Sequence, residues 1–273
     1  MPMTDPGIIL KDPSLGKRKL WLTLTREKYR QEEGLFLAEG FKVVRELFRS
    51  AWTTESLLIL ESRANHYREF LAALPPKTPV YALPEGDWRR LTQDKNSEGI
   101  IAVVADRPRE ARDLDREGGR GHLLLFHRIN NPNNLGAIMR TAHWFGFKKL
   151  IIGAGSVDYT NPKVVRTSMG SIFHLDISAG VEISACLARL KKDCLLVATV
   201  PQGGLNPRPC QRRTALILGS ETHGLPEEIL TLADLSWTVP GGGGAESLSL
   251  PQAAAIAMYE CVGRGESPGG EGP

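Results

Sequence analysis

Apolar residues fall in short runs separated by polar, charged or glycine-rich stretches. Up to residue 106, the runs LFLAEG (35–40), SLLIL (56–60), PVYAL (79–83) and GIIAVVA (99–105) have strand length and composition. FKVVRELFRS (41–50) and ESRANHYREFLAAL (61–74) space their apolar residues as helices do. The alternation predicts an α/β domain. Residues 107–121, RPREARDLDREGGRG, hold almost only charged side chains, glycine and proline. With no apolar face to bury, they read as an interdomain linker.

The alternation then resumes with HLLLFHRI (122–129), a helix over about 134–146, KLIIG (149–153), CLLVATV (194–200), TALILGS (214–220) and LSWTVP (235–240). A helix from about 247 to 263 closes the domain. These strands are apolar on successive positions, as in a parallel sheet covered on both faces. Ligands of such sheets bind beyond the carboxyl ends of the strands, which singles out the loops at 130–136, 199–204, 219–225 and 240–247. The expected organisation is an N-terminal extension (1–15), a front domain (16–106), the linker, a second domain (122–263) and a Gly/Pro-rich disordered tail (264–273).

Composition narrows the class. With 41% hydrophobic and 24% charged residues, the chain resembles an ordinary globular protein with a sizeable core. Its net charge of +3 excludes a polyanion-coating protein. The total hides an asymmetry: residues 122–220 hold twelve basic and four acidic side chains, and 221–273 hold one basic and eight acidic. Lys11, Lys17, Arg18, Lys19, Arg26, Lys28 and Arg30 form a further basic cluster against Asp12 and Glu27. Any such run is also compatible with a solvated face. The four cysteines show no metal-ligand spacing, so no metal is expected. No apolar run approaches the ~18 residues of a membrane span, and the start lacks a signal-peptide segment. A reducing cytoplasm is the expected compartment.

Three loops carry candidate chemistry. NNPNNLGAIMRTA (130–142) leaves a strand and enters a helix, with asparagines suited to the turn and N-cap and Arg140 further along. LGSETHGL (218–225) places Glu221 between two glycines, and fits neither common phosphate-cradle motif. VPGGGGAESLSLPQAAAI (239–256) runs four glycines into a serine-rich helix start. Taken singly, each has a bland reading: an Asn-rich turn with a surface arginine, a surface histidine at His223, and a flexible hinge.

Together, and in this order, NNPNNLGAIMRTA, LILGSETHGL and VPGGGGAESLSLPQAAAIAMYE, with KVVRTSMGSIFHLDI (163–177) between them, resemble the SpoU/TrmH family of RNA ribose 2'-O-methyltransferases in the SPOUT superfamily. The resemblance covers 122–263 strongly. Residues 16–106 are more weakly similar to the small α/β/α RNA-binding domain that many members place in front. It implies a deep trefoil knot in a mostly parallel sheet, S-adenosylmethionine as methyl donor, rRNA or tRNA as substrate, and an active site completed across a homodimer. Periodicity alone predicts an ordinary doubly wound sheet, because knots are so rare.

Carried over position by position, the resemblance assigns the cofactor to Thr199, Gly219, Glu221, Val239 and Leu248. It assigns catalysis to Asn134, Arg140, Glu221, Ser247 and Ser249. Ribose methylation needs a hydroxyl aligned with a sulfonium methyl and relieved of its proton. Arg140, normally always charged, suits a clamp on RNA phosphate and a stabiliser of developing alkoxide. Ser249 stands where the family usually has asparagine, and Asn131 where an acidic residue is frequent. These departures motivate an alternative, an RNA-binding protein with impaired catalysis. The basic cluster at 17–30 is expected to meet RNA phosphates.

Overall fold

The computed structural model describes residues 10–107 and 121–263. Residues 1–9 of the expected extension, most of the linker and the tail lie outside the described residues, whereas residues 10–15 of that extension fold into the first unit, Leu10 and Lys11 pairing with Val80 and Tyr81. The chain divides into two compact units: Met1–Arg107 with Asp158–Phe173, and Pro108–Val157 with His174–Pro273.

The first unit is built on β1 (Leu10–Lys11), α1 (Leu15–Thr23), α2 (Glu27–Glu33), β2 (Leu35–Glu39) and α3 (Phe41–Phe48). It continues through β3 (Thr54–Leu60), α4 (Arg68–Ala72), β4 (Val80–Leu83), α5 (Glu85–Leu91) and β5 (Ile100–Ala105). Its sheet has the order β1-β4-β3-β5-β2, with β5 antiparallel to both its neighbours and the remaining pairs parallel. Trp21, Leu58, Tyr81, Trp88, Leu91 and Ile101 form its core on one face. The 61–74 segment is shorter as a helix than its pattern suggests: Glu61–Arg63 is a 3₁₀ turn, and only Arg68–Ala72 is α-helical before Pro75 and Pro76 stop it.

Residues Asp158–Phe173, which the sequence reading put in the second domain, fold within this unit. Their anchor is Arg30, only 3% exposed, which donates to Asp158 Oδ2 at 2.5 and 3.0 Å, to Thr160 Oγ1 at 3.1 Å and to the Leu24 carbonyl at 3.2 Å. A buried ion pair needs its remaining donors satisfied in this way.

The second unit carries β6 (Leu123–Phe126), α6 (Pro132–Trp144), β7 (Lys149–Gly153), β8 (Asp176–Val181), α8 (Ile183–Leu190) and β9 (Leu195–Thr199). After it come β10 (Thr214–Leu218), α9 (Glu227–Leu232), β11 (Leu235–Trp237) and α10 (Leu250–Val262); the short α7 (Pro162–Thr167) belongs to the first unit. All six strands are parallel, in the order β11-β9-β10-β6-β7-β8. Leu123, Leu125, Ile151, Ala198 and Ile217 meet α8 and α9 in one apolar cluster on one sheet face. On strand alternation Leu124 and Phe126 point the other way; α10 packs on β10, and α6 on α10. β8 escaped the sequence reading because Asp176, Ser178 and Gly180 interrupt its apolar pattern at the sheet edge.

Candidate active site at the carboxyl edge of the parallel sheet

The β6–α6 loop is organised by its asparagines. Asn131 is the N-cap, its Oδ1 accepting from the Asn133 amide at 3.0 Å, and Pro132 occupies the first turn, where its missing N–H goes unneeded. The helix therefore begins at Pro132 and ends at Trp144, two residues earlier at each end than the apolar pattern suggested. Asn134 lies in the first turn, and its Nδ2 donates to Glu221 Oε1. Arg140 is six residues further on, about 120° around the helix from Asn134 at 3.6 residues per turn. Its side chain is exposed and has no hydrogen-bond or ion-pair partner among the described residues. The structure thus joins Asn134 to Glu221 and leaves Arg140 without a bond to either.

Glu221 sits in a tight loop following β10. A Cβ on Gly219 would stand 2.4 Å from the carbonyl carbon of Gly224, so only glycine lets the two ends of the loop close. The Gly224 amide donates to the Ser220 carbonyl at 2.9 Å, with Gly224 in the left-handed region (φ +63°). Ser220 Oγ accepts from the His223 amide at 3.1 Å. Ser220 is 8% exposed and shapes the loop, a role sequence reasoning missed although the residue stands inside the quoted motif. His223 pairs with Thr222 Oγ1 at 2.8 Å on the surface, in keeping with its bland reading.

The loops after β9 and β11 complete the edge. Thr199 Oγ1 donates to the Ile217 carbonyl at 3.0 Å, so its hydroxyl proton serves the sheet and its oxygen lone pairs and backbone are left for a ligand. Beyond it, the Val200 amide donates to the Trp237 carbonyl and the Gly204 amide to Thr238 Oγ1, both near 2.8–2.9 Å. A Cβ on Gly204 would lie 2.7 Å from the Trp237 carbonyl carbon, so this loop runs hard against β11. Gly204 and Thr238 also escaped the sequence reading; the Gly203–Gly204 pair was the available signal.

Residues 239–248 make no backbone–backbone hydrogen bond among the described residues. Nothing lies within 4 Å of where a Cβ on Gly241, Gly242, Gly243 or Gly244 would stand, so these glycines keep space open. Leu248 is 48% exposed, and Ser247 is exposed. α10 starts at Leu250 instead of 247, with Ser249 as its N-cap residue by backbone conformation; its hydroxyl makes no capping bond and is free for another partner.

Strand register brings the expected cofactor positions together. Thr199 pairs with Trp237, and Ala198 with Ile217, so Thr199, Gly219 and Val239 end three neighbouring strands. Unpaired peptide groups, an exposed leucine and a fixed carboxylate there suit an adenine nucleoside held through the main chain. The residues fit the expected cofactor, Thr199 through its backbone and the lone pairs of its hydroxyl. Among the described residues no group of three or more His, Cys, Asp or Glu side chains can hold a metal ion, and no helix is long and apolar enough to cross a membrane.

The basic cluster of the first unit divides. Arg30 is buried on Asp158, so it does not meet RNA as expected. Arg18 bridges Asp12 and Asp87 at 2.6 and 2.5 Å, and Lys17 Nζ donates to Tyr81 OH at 2.6 Å. Lys11, Lys19, Arg26 and Lys28 remain exposed.

A parallel α/β domain whose candidate ligand loops follow three adjacent strands is of the class that binds nucleosides at its strand ends, here with the Asn134–Glu221 pair on the rim. Residues 121–259 match the SpoU rRNA Methylase family and 17–102 the MRM3-like substrate binding domain. The chain belongs to the SpoU rRNA methylase family. It is 30% identical over 250 residues to the 23S rRNA (guanosine(2553)-2'-O)-methyltransferase RlmP of Bacillus subtilis, covering 90% of this chain and 96% of that one. It is 30% identical over 245 residues to a 23S rRNA (uridine(2479)-2'-O)-methyltransferase of Streptomyces viridochromogenes, covering 85% and 84%. Among solved structures, the SpoU methyltransferase AviRb of Streptomyces viridochromogenes in complex with AdoMet superposes with a TM-score of 0.79 at 26% identity, covering 91% and 97%.

Proposed function

We propose that the protein transfers a methyl group from S-adenosylmethionine to a ribose 2'-hydroxyl of ribosomal RNA. The observation that carries this is the Asn134–Glu221 hydrogen bond beside the unpaired 239–248 backbone, in a member of the SpoU family. The 23S rRNA activity of both named relatives favours rRNA over tRNA. The cofactor supplies an electrophilic sulfonium methyl. Thr199, Gly219, Val239 and Leu248 hold it, chiefly through the main chain, and the loop glycines give it room. Glu221, fixed by Asn134, orients the nucleoside, while the free hydroxyls of Ser247 and Ser249 stand at the start of α10 to position the ribose. Arg140 clamps the RNA phosphate and stabilises the alkoxide as the hydroxyl loses its proton.

A homodimer supplies that arginine. Trp144, Ile256, Tyr259 and Val262 on α6 and α10 are 84%, 37%, 45% and 43% exposed, an apolar face that a second copy would cover. Arg140, exposed on α6 and bonded to neither Asn134 nor Glu221 of its own chain, is the group this reading assigns to the partner's site. The close passage of Gly204 along Trp237 and Thr238 supports a chain threaded as the family's knot. By analogy with the bacterial rRNA methyltransferases it resembles, the cytoplasm is the compartment this reading assigns.

Cross-complementation tests the reading. Arg140→Ala and Glu221→Gln are each expected to abolish methylation of rRNA by purified protein, and mixed heterodimers to recover part of it. Unmixed variants that stay active, or wild-type protein that binds neither S-adenosylmethionine nor RNA, would overturn it.

A further inference from the structure

Beside the loops described above, the same sheet edge opens a second concavity. The ends of β6, β7 and β8 are in register, Phe126 with Ile152 and Gly153 with Val181. The residues just past them line a cleft of about 500 Å³ with His127, Arg128, Glu182, Ser184 and Glu228 on its walls. That volume lies within the roughly 300–1,000 Å³ of small-molecule sites. The His127 amide donates to the Leu218 carbonyl at 2.8 Å, one residue before the Gly219–Glu221 loop, so the cleft borders the methyl-transfer site.

Its walls carry both signs of charge in a deliberate arrangement. Arg128 is exposed and holds φ at +52°, a left-handed conformation that an arginine seldom adopts, and its stem lies over Gly155, 3.7 Å from where a Cβ would stand. Glu228 accepts from Ser184 Oγ at 2.8 Å, which fixes its carboxylate. Glu182 is the N-cap residue of α8, yet its side chain makes no capping bond and no described residue donates to it. Burial, and then the charge of Arg128, hold the His127 imidazole below its ordinary value against Glu228 and Glu182, so near neutral pH it offers one donor and one acceptor.

Arg128 disfavours a bare cation and the two glutamates disfavour a bare anion. A ligand with a phosphate at one end and a hydrogen-bond-donating face at the other satisfies the whole set. Among nucleobases only guanine presents two parallel donors, N1–H and N2–H, to one carboxylate; uracil offers a single N–H between carbonyls, and adenine and cytosine set an acceptor beside their amine. Unpaired RNA bases are read in this manner, on their pairing edges and against arginine.

We propose that this cleft is a guanosine subsite for an unpaired nucleotide of the RNA, with Glu182 accepting from the base and Arg128 meeting its phosphate. The inference rests on the RNA-directed reading above and adds a specificity-determining position to it. The test titrates guanosine, adenosine and uridine 5'-monophosphates into full-length protein saturated with S-adenosylmethionine. Binding is followed by calorimetry and by the imidazole resonances of His127. Guanosine monophosphate is expected to displace those resonances, the other two to leave them in place, and Glu182→Gln to weaken binding about tenfold or more, as expected for losing one bidentate charged contact. Equal displacement by uridine monophosphate, unaltered binding by Glu182→Gln, or unmoved resonances at millimolar guanosine monophosphate would overturn the subsite. Methyl transfer to total RNA, measured in parallel, separates the two readings: transfer without guanosine binding retires the subsite alone, and guanosine binding without transfer retires the enzyme.

Discussion

The site is assembled from side chains whose work is divided between fixing one another and facing outward. Asn134 spends its amide on Glu221, and Ser220 spends its hydroxyl on the loop that carries that carboxylate. Arg140 has no such tie among the described residues, which leaves its guanidinium available to a substrate, as the proposed role requires. Arg140→Ala is therefore expected to lower methyl transfer by more than ~100-fold, the order lost with one preorganised charge-stabilising donor, while calorimetric affinity for S-adenosylmethionine stays unchanged. An equal loss of cofactor affinity would move Arg140 into the cofactor pocket. Gly219→Ala should do the reverse. Its Cβ would stand 2.4 Å from the Gly224 carbonyl carbon, so the loop must open at a cost of about 1–3 kcal/mol. Cofactor affinity should fall with it, and thermal unfolding in the presence and absence of cofactor checks both effects.

The parallel sheet positions these groups by register, and its opposite edge supplies a pH dependence. His122 Nδ1, just before β6, accepts from the Thr214 amide of β10 at 3.2 Å, so that nitrogen is unprotonated in the fold. Burial holds the imidazole below its ordinary value. The unfolded chain, with a pKa of about 6.5, takes up the proton first as pH falls, so stability declines below that value and is retained above it. Urea denaturation between about pH 8 and pH 5 is expected to show this decline, and His122→Gln, which keeps an acceptor but gains no proton, to reduce it; His127, also held low, keeps it from vanishing. At this scale the sequence was most legible where strands are uniformly apolar: β6, β7, β9 and β10 stand where the runs predicted. It was least legible where tertiary packing overrides pattern. β8 carries Asp176 and Gly180 at an edge, and helices such as α9 are too short for a periodic signal. The site followed the same division. Motif residues following the strands are legible as candidates, whereas Ser220, Gly204 and Thr238 act through loop closures that no spacing displays.

Across the whole molecule, the near-neutral total charge concealed both the basic excess that holds Arg140 and the acidic excess that follows Glu221. The front basic cluster needs the same scrutiny, because charge read from sequence does not distinguish a surface group from a structural one. Arg30 and Arg18 are consumed inside the first unit, and only Lys11, Lys19, Arg26 and Lys28 remain exposed. Removing the front residues is a poor test of RNA binding, since Asp158–Phe173 folds within that unit and would lose Arg30, leaving Asp158 an uncompensated charge. Neutralising the exposed groups avoids this. Lys19→Ala, Arg26→Ala and Lys28→Ala combined leave the buried pair intact, and Lys28 gives up a 3.7 Å surface pairing with Glu32 and a 5.9 Å contact with the Tyr29 ring. If these three meet phosphates, the slope of log affinity for rRNA against log salt should become shallower by roughly 0.7–0.9 per lost contact, with cofactor affinity and thermal stability unchanged. An unaltered slope would show that these three groups do not meet RNA phosphates.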